Sequence, residues 1–344
     1  MGANILATWI CIDSPENATY FPSSKGMSSD IGIQSNYYKC IAVCFHSARL
    51  YNPDLRLVFF TNKNELPVIE GVDFKLLFDS LNVQFYYTDF EYITPPDYSK
   101  MWRNQFYEFS IFKFISNSSE FNNDDNIVLI DSDCVVTKSL DDLFKDIKSH
   151  KSIAYELDYK ENVDINGISR IGMEAVFSEL SGKTIGKIPL YYAGEFFGAS
   201  VRLVKEYFSL FRELWPKLIA LNAEGKPKLH EEAHVLSYLF FITGNENGIA
   251  NKYIKRLWTD PSSFRNVNKD DDNLYIWHLP KHKVSGFPKL FKLLKSKEFS
   301  TTSFSKEAYR LMMKKLFTIP DLTLRNKLYF RLRKTAKYIL GRRK

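Results

Sequence analysis

Asn126-Ile127-Val128-Leu129-Ile130-Asp131-Ser132-Asp133-Cys134-Val135-Val136 is the stretch whose reading decides how this chain folds. Its first half is continuously apolar, the pattern of a strand buried on both faces of a parallel sheet. Two carboxylates, Asp131 and Asp133, emerge at its polar end. Residues i and i+2 of an extended chain face the same way, so both acids are expected to approach one ligand. Two like charges held together need a counter-charge. A divalent cation bridging to a diphosphate supplies it, because Mg2+ and Mn2+ prefer carboxylate and phosphate oxygens. The competing reading is a strand that simply ends in a solvated acidic turn.

Upstream, the sequence alternates strand and helix patterns. Ile5–Ile12, Leu55–Phe60 and Val83–Tyr87 are short apolar, β-leaning runs. Tyr37–Tyr51 and Met101–Ile115 carry helical apolar spacing, with a polar loop at Ser14–Ser35. Such alternation predicts an α/β, Rossmann-like fold with a central, mostly parallel sheet and helices on both faces. Ligands of such sheets bind at the carboxyl ends of the strands, where the Asp-Ser-Asp lies. Thr8 and Asp13, in and just after the first run, are taken as candidate nucleotide contacts. Downstream the pattern is less regular. Tyr191–Ser200 (YYAGEFFGAS) reads as an aromatic, small-residue loop, Val201–Ala220 and His230–Phe241 as helices, and Tyr275–His278 as a short strand. Asp260–Asp272 is the best linker-like stretch.

Composition narrows the class. With 344 residues, 45% hydrophobic and 25% charged, the chain is globular rather than disordered. The net charge is +7, but Leu322–Lys344 holds nine basic residues and no acidic ones, so the remainder carries −2. A near-neutral body argues against nucleic-acid binding, and the tail reads as a local basic anchor. On a helical wheel Leu324, Leu328, Leu332, Ala336, Ile339 and Leu340 share one side and Lys327, Arg331, Lys334 and Lys337 the other, the pattern of a helix lying in an anionic membrane interface. The four cysteines, Cys11, Cys40, Cys44 and Cys134, match no metal or disulfide framework and read as buried thiols. Met1–Asp13 lacks the basic start of a signal peptide, and no run reaches the roughly 20 apolar residues of a membrane span. A cytoplasmic protein, peripheral at the inner face of the cell membrane, is therefore expected.

Residues 126–145 (NIVLIDSDCVVTKSLDDLFK) resemble the metal-binding strand of glycosyltransferases with the A-type (GT-A) fold, in particular the retaining group of glycogenin and the lipopolysaccharide galactosyltransferases. That group also carries a C-terminal His followed by Gly-x-x-Lys, matched here by His278 and Gly286-Phe287-Pro288-Lys289 after a longer gap, with Lys281 and Lys283 between them. The resemblance implies Mn2+ or Mg2+ held by Asp131, Asp133 and His278, with Asp131 contacting metal or ribose and Lys289 touching the diphosphate. It also implies that Arg103, on the preceding helix, pairs with the acids or the donor sugar. Residues 191–241 are similar to the histo-blood-group type of galactosyl- and N-acetylgalactosaminyltransferase, in YYAGEFFGAS and His230-Glu231-Glu232-Ala233-His234-Val235-Leu236, though an Asn of that motif is replaced by Leu236. This places Glu232 under the donor sugar, with Glu195 as its main competitor for the catalytic role. Asp-x-Asp-x-Val also resembles phosphatases of the haloacid dehalogenase type, but there the motif follows the first strand.

The resulting expectation is a GT-A catalytic domain over 1–295, its nucleotide-binding half 1–137 and its acceptor-binding half 138–295, followed by a helical, basic membrane-association segment, 296–344. Its implied activity is retaining transfer of a hexose from a UDP-sugar to a hydroxyl of a glycan or glycolipid in bacterial surface polysaccharide or lipopolysaccharide synthesis. The rival is a related sugar-nucleotide binding protein that has lost turnover.

Overall fold

The computed structural model describes residues 2–21, 26–99, 101–261, 264–320 and 324–341. The chain begins with strand β1 (Asn4–Ile10), a small hairpin of β2 (Tyr20–Phe21) and β3 (Gly26–Met27), and the long helix α1 (Ile31–Tyr51). Then come β4 (Arg56–Thr61), a second hairpin of β5 (Val68–Ile69) and β6 (Val72–Asp73), α2 (Phe74–Ser80), β7 (Val83–Tyr87) and α3 (Tyr107–Asn117). The deciding stretch forms β8 (Asn126–Ile130) and β9 (Cys134–Val136). Next are α4 (Asp141–His150), β10 (Ser152–Glu156), α5 (Arg170–Ser181), β11 (Tyr192–Ser200), α6 (Val201–Ala223) and α7 (Glu232–Ile242). The chain closes with β12 (Ile254–Arg256), β13 (Ile276–His278), α8 (Gly286–Lys295), α9 (Lys306–Phe317) and α10 (Leu324–Gly341).

Six strands form the central sheet in the order β10-β11-β8-β1-β4-β7. The pairings β8–β1, β1–β4 and β4–β7 are parallel, as the apolar runs predict, whereas β11 lies antiparallel between β8 and β10. Alternate side chains serve opposite faces. Leu6, Leu57, Phe59, Val128 and Ile130 pack into the core under α1, α4 and α8. Ile5, Val58, Phe60, Ile127 and Leu129 pack into the other, under α3, α6 and α7. A strand with two buried faces has no polar alternation, which is why these segments read as continuous apolar runs.

Several expectations are corrected. Asn126–Val136 is not one strand: it breaks at Asp131-Ser132-Asp133, and β9 leaves the main sheet to join a three-stranded sheet, β12-β13-β9. All but the first residue of YYAGEFFGAS forms a nine-residue strand, Tyr192–Ser200, rather than a loop. The helix expected from Met101 starts as a 3-10 turn at Arg103–Phe106, because Trp102 takes a left-handed backbone conformation, φ 61°. The end of the linker-like stretch is tied down: Asp271 binds Lys255 at 2.9 Å, and Asp272 binds Lys314 at 2.7 Å. The segment after 295 divides in two. Tyr309, Met313 and Phe317 of α9 are buried in the same core as α1 and α8. Helix α10 instead exposes Leu324, Leu328, Tyr329 and Leu332. The side chains of Lys334, Lys337, Ile339 and Leu340, and all of Arg342–Lys344, lie outside the described residues. Among the described residues, no helix is long and apolar enough to cross a membrane.

Candidate active site

The break between β8 and β9 builds one wall of the site. The Asp131 carbonyl accepts the Cys134 N–H at 3.3 Å, closing a turn that carries both acids. The Asp133 carbonyl accepts the Leu279 N–H at 3.0 Å, and Cys134 sits opposite His278 in the β9–β13 register. These bonds bring His278, about 145 residues away in sequence, beside the acidic turn. His278 Nε2 stands 3.5 Å from Asp131 Oδ2 and 3.3 Å from Asp133 Oδ2. Ligand atoms of the three residues lie within 4.8 Å of one another. Nε2 of His278 and Oδ1 of Asp133 are buried and make no hydrogen bond. An oxygen of each aspartate and an imidazole nitrogen, close together, with Asp133 Oδ1 and His278 Nε2 lacking other partners, fit a divalent cation.

The surrounding charges on this wall are compensated. Lys283 Nζ is 3.0 Å from Asp133 Oδ2 and lies over the Tyr37 ring at 4.8 Å. Glu195, on β11, accepts from Arg256 Nε at 2.7 Å and from Arg256 Nη2. Its Oε1 is also 3.2 Å from His278 Nδ1. Burial opposes ionisation of Glu195, but Arg256 and His278 outweigh it and hold the carboxyl down at about 2. Burial likewise opposes Asp133, yet Lys283 and His278 push it well below the carboxylate range. His278 is raised to about 9 against its burial, by Asp133 and Glu195. Asp131, less well paired, is pushed up to about 6 by burial and by Asp133.

The opposite wall comes from the start of α7, which packs against Gly194 of β11. Glu231 and Glu232 are both buried and face the cavity. Glu231 accepts from the Tyr191 hydroxyl at 2.8 Å and from Asn166 Nδ2 at 2.6 Å. Burial nevertheless pushes it up to about 7. Glu232 Oε2 makes no hydrogen bond. Burial, then Glu231, Glu108 and Asp131, raise Glu232 well above its ordinary value. Gly194 makes room for this carboxylate: a Cβ there would lie 1.9 Å from Glu232 Oε1. Between the walls is a cavity of about 1080 Å³, counting its open mouth, large enough for a nucleotide-sized ligand. Trp9, Tyr37, Trp102 and Trp258 add aromatic faces.

Not every sequence candidate reaches this cavity. Lys289 lies on the exposed side of α8, one turn past Gly286, whereas Lys283, in the preceding turn, reaches Asp133. Thr8 is fully buried within β1 and is not among the residues lining the cavity. Asp13 stands one layer back, accepting from Ser28 Oγ at 2.5 Å, and it is Ser28 that lines the cavity. Arg103 turns away from the acids and donates to the carbonyls of Asn17 and Ala18 at 3.4 Å. Arg256 and Glu108 were invisible in the sequence, one a lone arginine in a short strand, the other a helix acid without a motif. Glu108 is buried beside Trp9, which donates to it at 3.3 Å.

No protein-family model matches the chain, and no curated protein matches it. Among solved structures it is similar to the galactosyltransferase LgtC in complex with donor and acceptor sugar analogs, at 13% identity over 80% of this chain and 86% of that one, TM-score 0.44. An active-site mutant of LgtC gives 12% identity, 85% and 95% coverage, and a TM-score of 0.48. Mouse xyloside xylosyltransferase 1 in its apo form gives 12%, 81% and 97%, and 0.44. At these values the likeness is one of overall chain path; the chemistry of the site is read from its own side chains.

Proposed function

We propose that this chain is a metal-dependent glycosyltransferase that moves a hexose from a nucleotide-sugar, with UDP as the nucleotide, to a hydroxyl of a glycan or glycolipid, with retention at the anomeric carbon. The observation that carries the reading is the convergence of Asp131, Asp133 and His278 at the carboxyl edge of β8, facing buried Glu232 across one cavity. Held by those three residues, Mn2+ or Mg2+ would neutralise the charge that develops on a diphosphate leaving group. Lys283 adds a fixed ammonium on the same wall, in place before reaction rather than recruited during it. As the bond to the nucleotide breaks, positive charge grows on the sugar ring. Glu232 then acts from the opposite face. Burial, and after it the neighbouring acids, raise it well above its ordinary value and oppose its ionised form, and a positive ring is the charge that favours that form.

Thermal shift with a panel of nucleotide-sugars, with and without Mn2+, is the first test. A ligand at roughly 100 times its dissociation constant stabilises by about 2.7 kcal/mol. The reading requires a Mn2+-dependent shift with one UDP-sugar and Mn2+-dependent release of UDP from it. A shift without turnover, whatever acceptor is supplied, makes the protein a sugar-nucleotide binder instead.

The exposed Leu324, Leu328, Tyr329 and Leu332 of α10, beside Arg325, Lys327, Arg331 and Arg333, support peripheral attachment to an anionic membrane at the cytoplasmic face. A glycolipid acceptor of a bacterial surface polysaccharide would lie at such a face. Deleting residues 322–344 is expected to abolish sedimentation with anionic liposomes and to spare turnover on a soluble acceptor. Unchanged sedimentation sinks the attachment.

A further inference from the structure

We propose that Glu195 is a positioning residue of the metal site: clamped by Arg256, it holds the Nδ1 proton of His278 and so presents the Nε2 lone pair to the point shared by Asp131 and Asp133. The inference rests on the metal-dependent reading above and deepens it. A neutral imidazole has two tautomers, and only one leaves Nε2 free to bind a cation. A carboxylate on Nδ1 selects that tautomer and fixes the ring orientation. Glu195 is buried, its Oε1 is 3.2 Å from His278 Nδ1, and no other acceptor is within hydrogen-bond reach of that nitrogen among the described residues.

The arrangement is built rather than incidental. Arg256 and His278 are register partners on the parallel strands β12 and β13, so both side chains meet Glu195 from one direction. Arg256 engages both carboxylate oxygens, one of them at 2.7 Å, leaving Glu195 little freedom to swing toward the cavity. Glu195 acts a second time through its backbone: its carbonyl accepts the Asp131 N–H at 3.2 Å. One residue of β11 thus orders two of the three ligands, the histidine by its side chain and the first aspartate by its main chain. This also removes Glu195 from contention as the group beneath the sugar, because both its oxygens are already engaged.

Titration with Mn2+ alone, followed by the electron paramagnetic resonance of the free ion, tests the proposal on the full chain. Glu195→Gln is expected to weaken Mn2+ binding by about 10- to 100-fold, the usual effect of losing such a partner. It leaves Arg256 unpaired, so Glu195→Gln/Arg256→Met, which removes both charges, is measured beside it with the same expectation. Nitrogen-15 spectra of the metal-free protein, at alkaline pH where the imidazole is neutral, add a readout that a purely structural role would not move: the His278 proton sits on Nδ1 in the wild type and loses that preference in the variants. Mn2+ affinity within twofold of wild type in both variants, while Asp133→Asn and His278→Ala lose it, overturns the role of Glu195 and leaves the metal site standing. Unchanged affinity in Asp133→Asn overturns the metal reading, and this inference with it.

Discussion

The two walls of the cavity treat buried charge in opposite ways. On the β8–β9 wall every acid has a cation within reach: Asp133 has Lys283, Glu195 has Arg256, and His278 sits among all three acids. Across the cavity Glu231 is satisfied only by the neutral donors of Tyr191 and Asn166, apart from His234 at 3.7 Å, and Glu232 Oε2 has none. Burial costs an ion far less when an opposite charge is held beside it, so the first wall stays ionised and the second is driven toward neutrality. The lesson is a division of labour. A wall of fixed charges receives a ligand whose charge is always present, and a wall of carboxyls whose ionisation burial opposes answers charge that appears only during reaction.

The most damaging change should fall on the ionised wall. Asp133→Asn removes a ligand and strands Lys283 without its partner. Mn2+-dependent release of UDP should drop by on the order of a thousandfold or more, in the range seen when a group acting only in the transition state is lost. Turnover within tenfold of wild type would break the contrast at its root.

On the neutral wall the expected loss is smaller and of a different kind. Glu232→Gln keeps shape and abolishes ionisation. It should leave Mn2+ and UDP affinity unchanged and lower kcat by on the order of a hundredfold. Equal losses in metal affinity and kcat would mean that Glu232 belongs with the first wall after all.

The walls also differ in the sign of their pH dependence. Glu231 is raised from 4.5 to about 7 by burial, so between those values the folded protein holds a proton that the unfolded chain has released. Stability from this group is full below about 4.5 and falls as the pH rises through about 7. Glu195, lowered to about 2 by Arg256 and His278 against its burial, does the reverse: its contribution is full above 4.5 and lost on acidification toward 2. Glu231→Gln should therefore raise unfolding free energy at pH 8 by on the order of 1–3 kcal/mol relative to its effect at pH 4. Denaturant melts at the two pH values check it: an effect of opposite sign places Glu231 among the ionised acids, and an effect independent of pH means that the fold does not shift its ionisation.

How much of this was legible in sequence follows from the range of the interactions involved. The strands β1, β4 and β7 are burial patterns within a few residues, and their apolar runs located them to within one or two positions, as they did the start of β8 but not its end. Asp131, Asp133, His278 and Glu232 carry motifs, and all four line or border the cavity. The turn at Asp131-Ser132-Asp133 was not legible, because its bonds go to Glu195, 64 residues beyond Asp131, and to Leu279, 146 residues beyond Asp133. Arg256 had no local signal: its role exists only because β12 pairs with β13 in one register. The antiparallel insertion of β11 was hidden for the same reason, since a buried strand of either direction reads as the same apolar run.

The smallest expected effect concerns the lysine that spacing selects and folding does not. Gly-x-x-Lys points to Lys289, but Gly286 is the first residue of α8, so the three following residues complete a helical turn and carry Lys289 to the solvent side. The buried face of that helix belongs to Phe287, Leu290, Phe291 and Leu294. Lys283 precedes the helix, is buried at the site, and its ammonium meets Asp133 directly. An exposed helix lysine contributes within about 0.5 kcal/mol when replaced, and alanine is an equal or better helix former. Lys289→Ala should thus leave kcat and the KM for the nucleotide-sugar within about twofold, while Lys283→Ala raises that KM at least tenfold. Steady-state kinetics on the two variants decide between them. A tenfold loss in Lys289→Ala would mean that α8 unwinds its first turn when the donor binds, and that the ionised wall extends past Lys283.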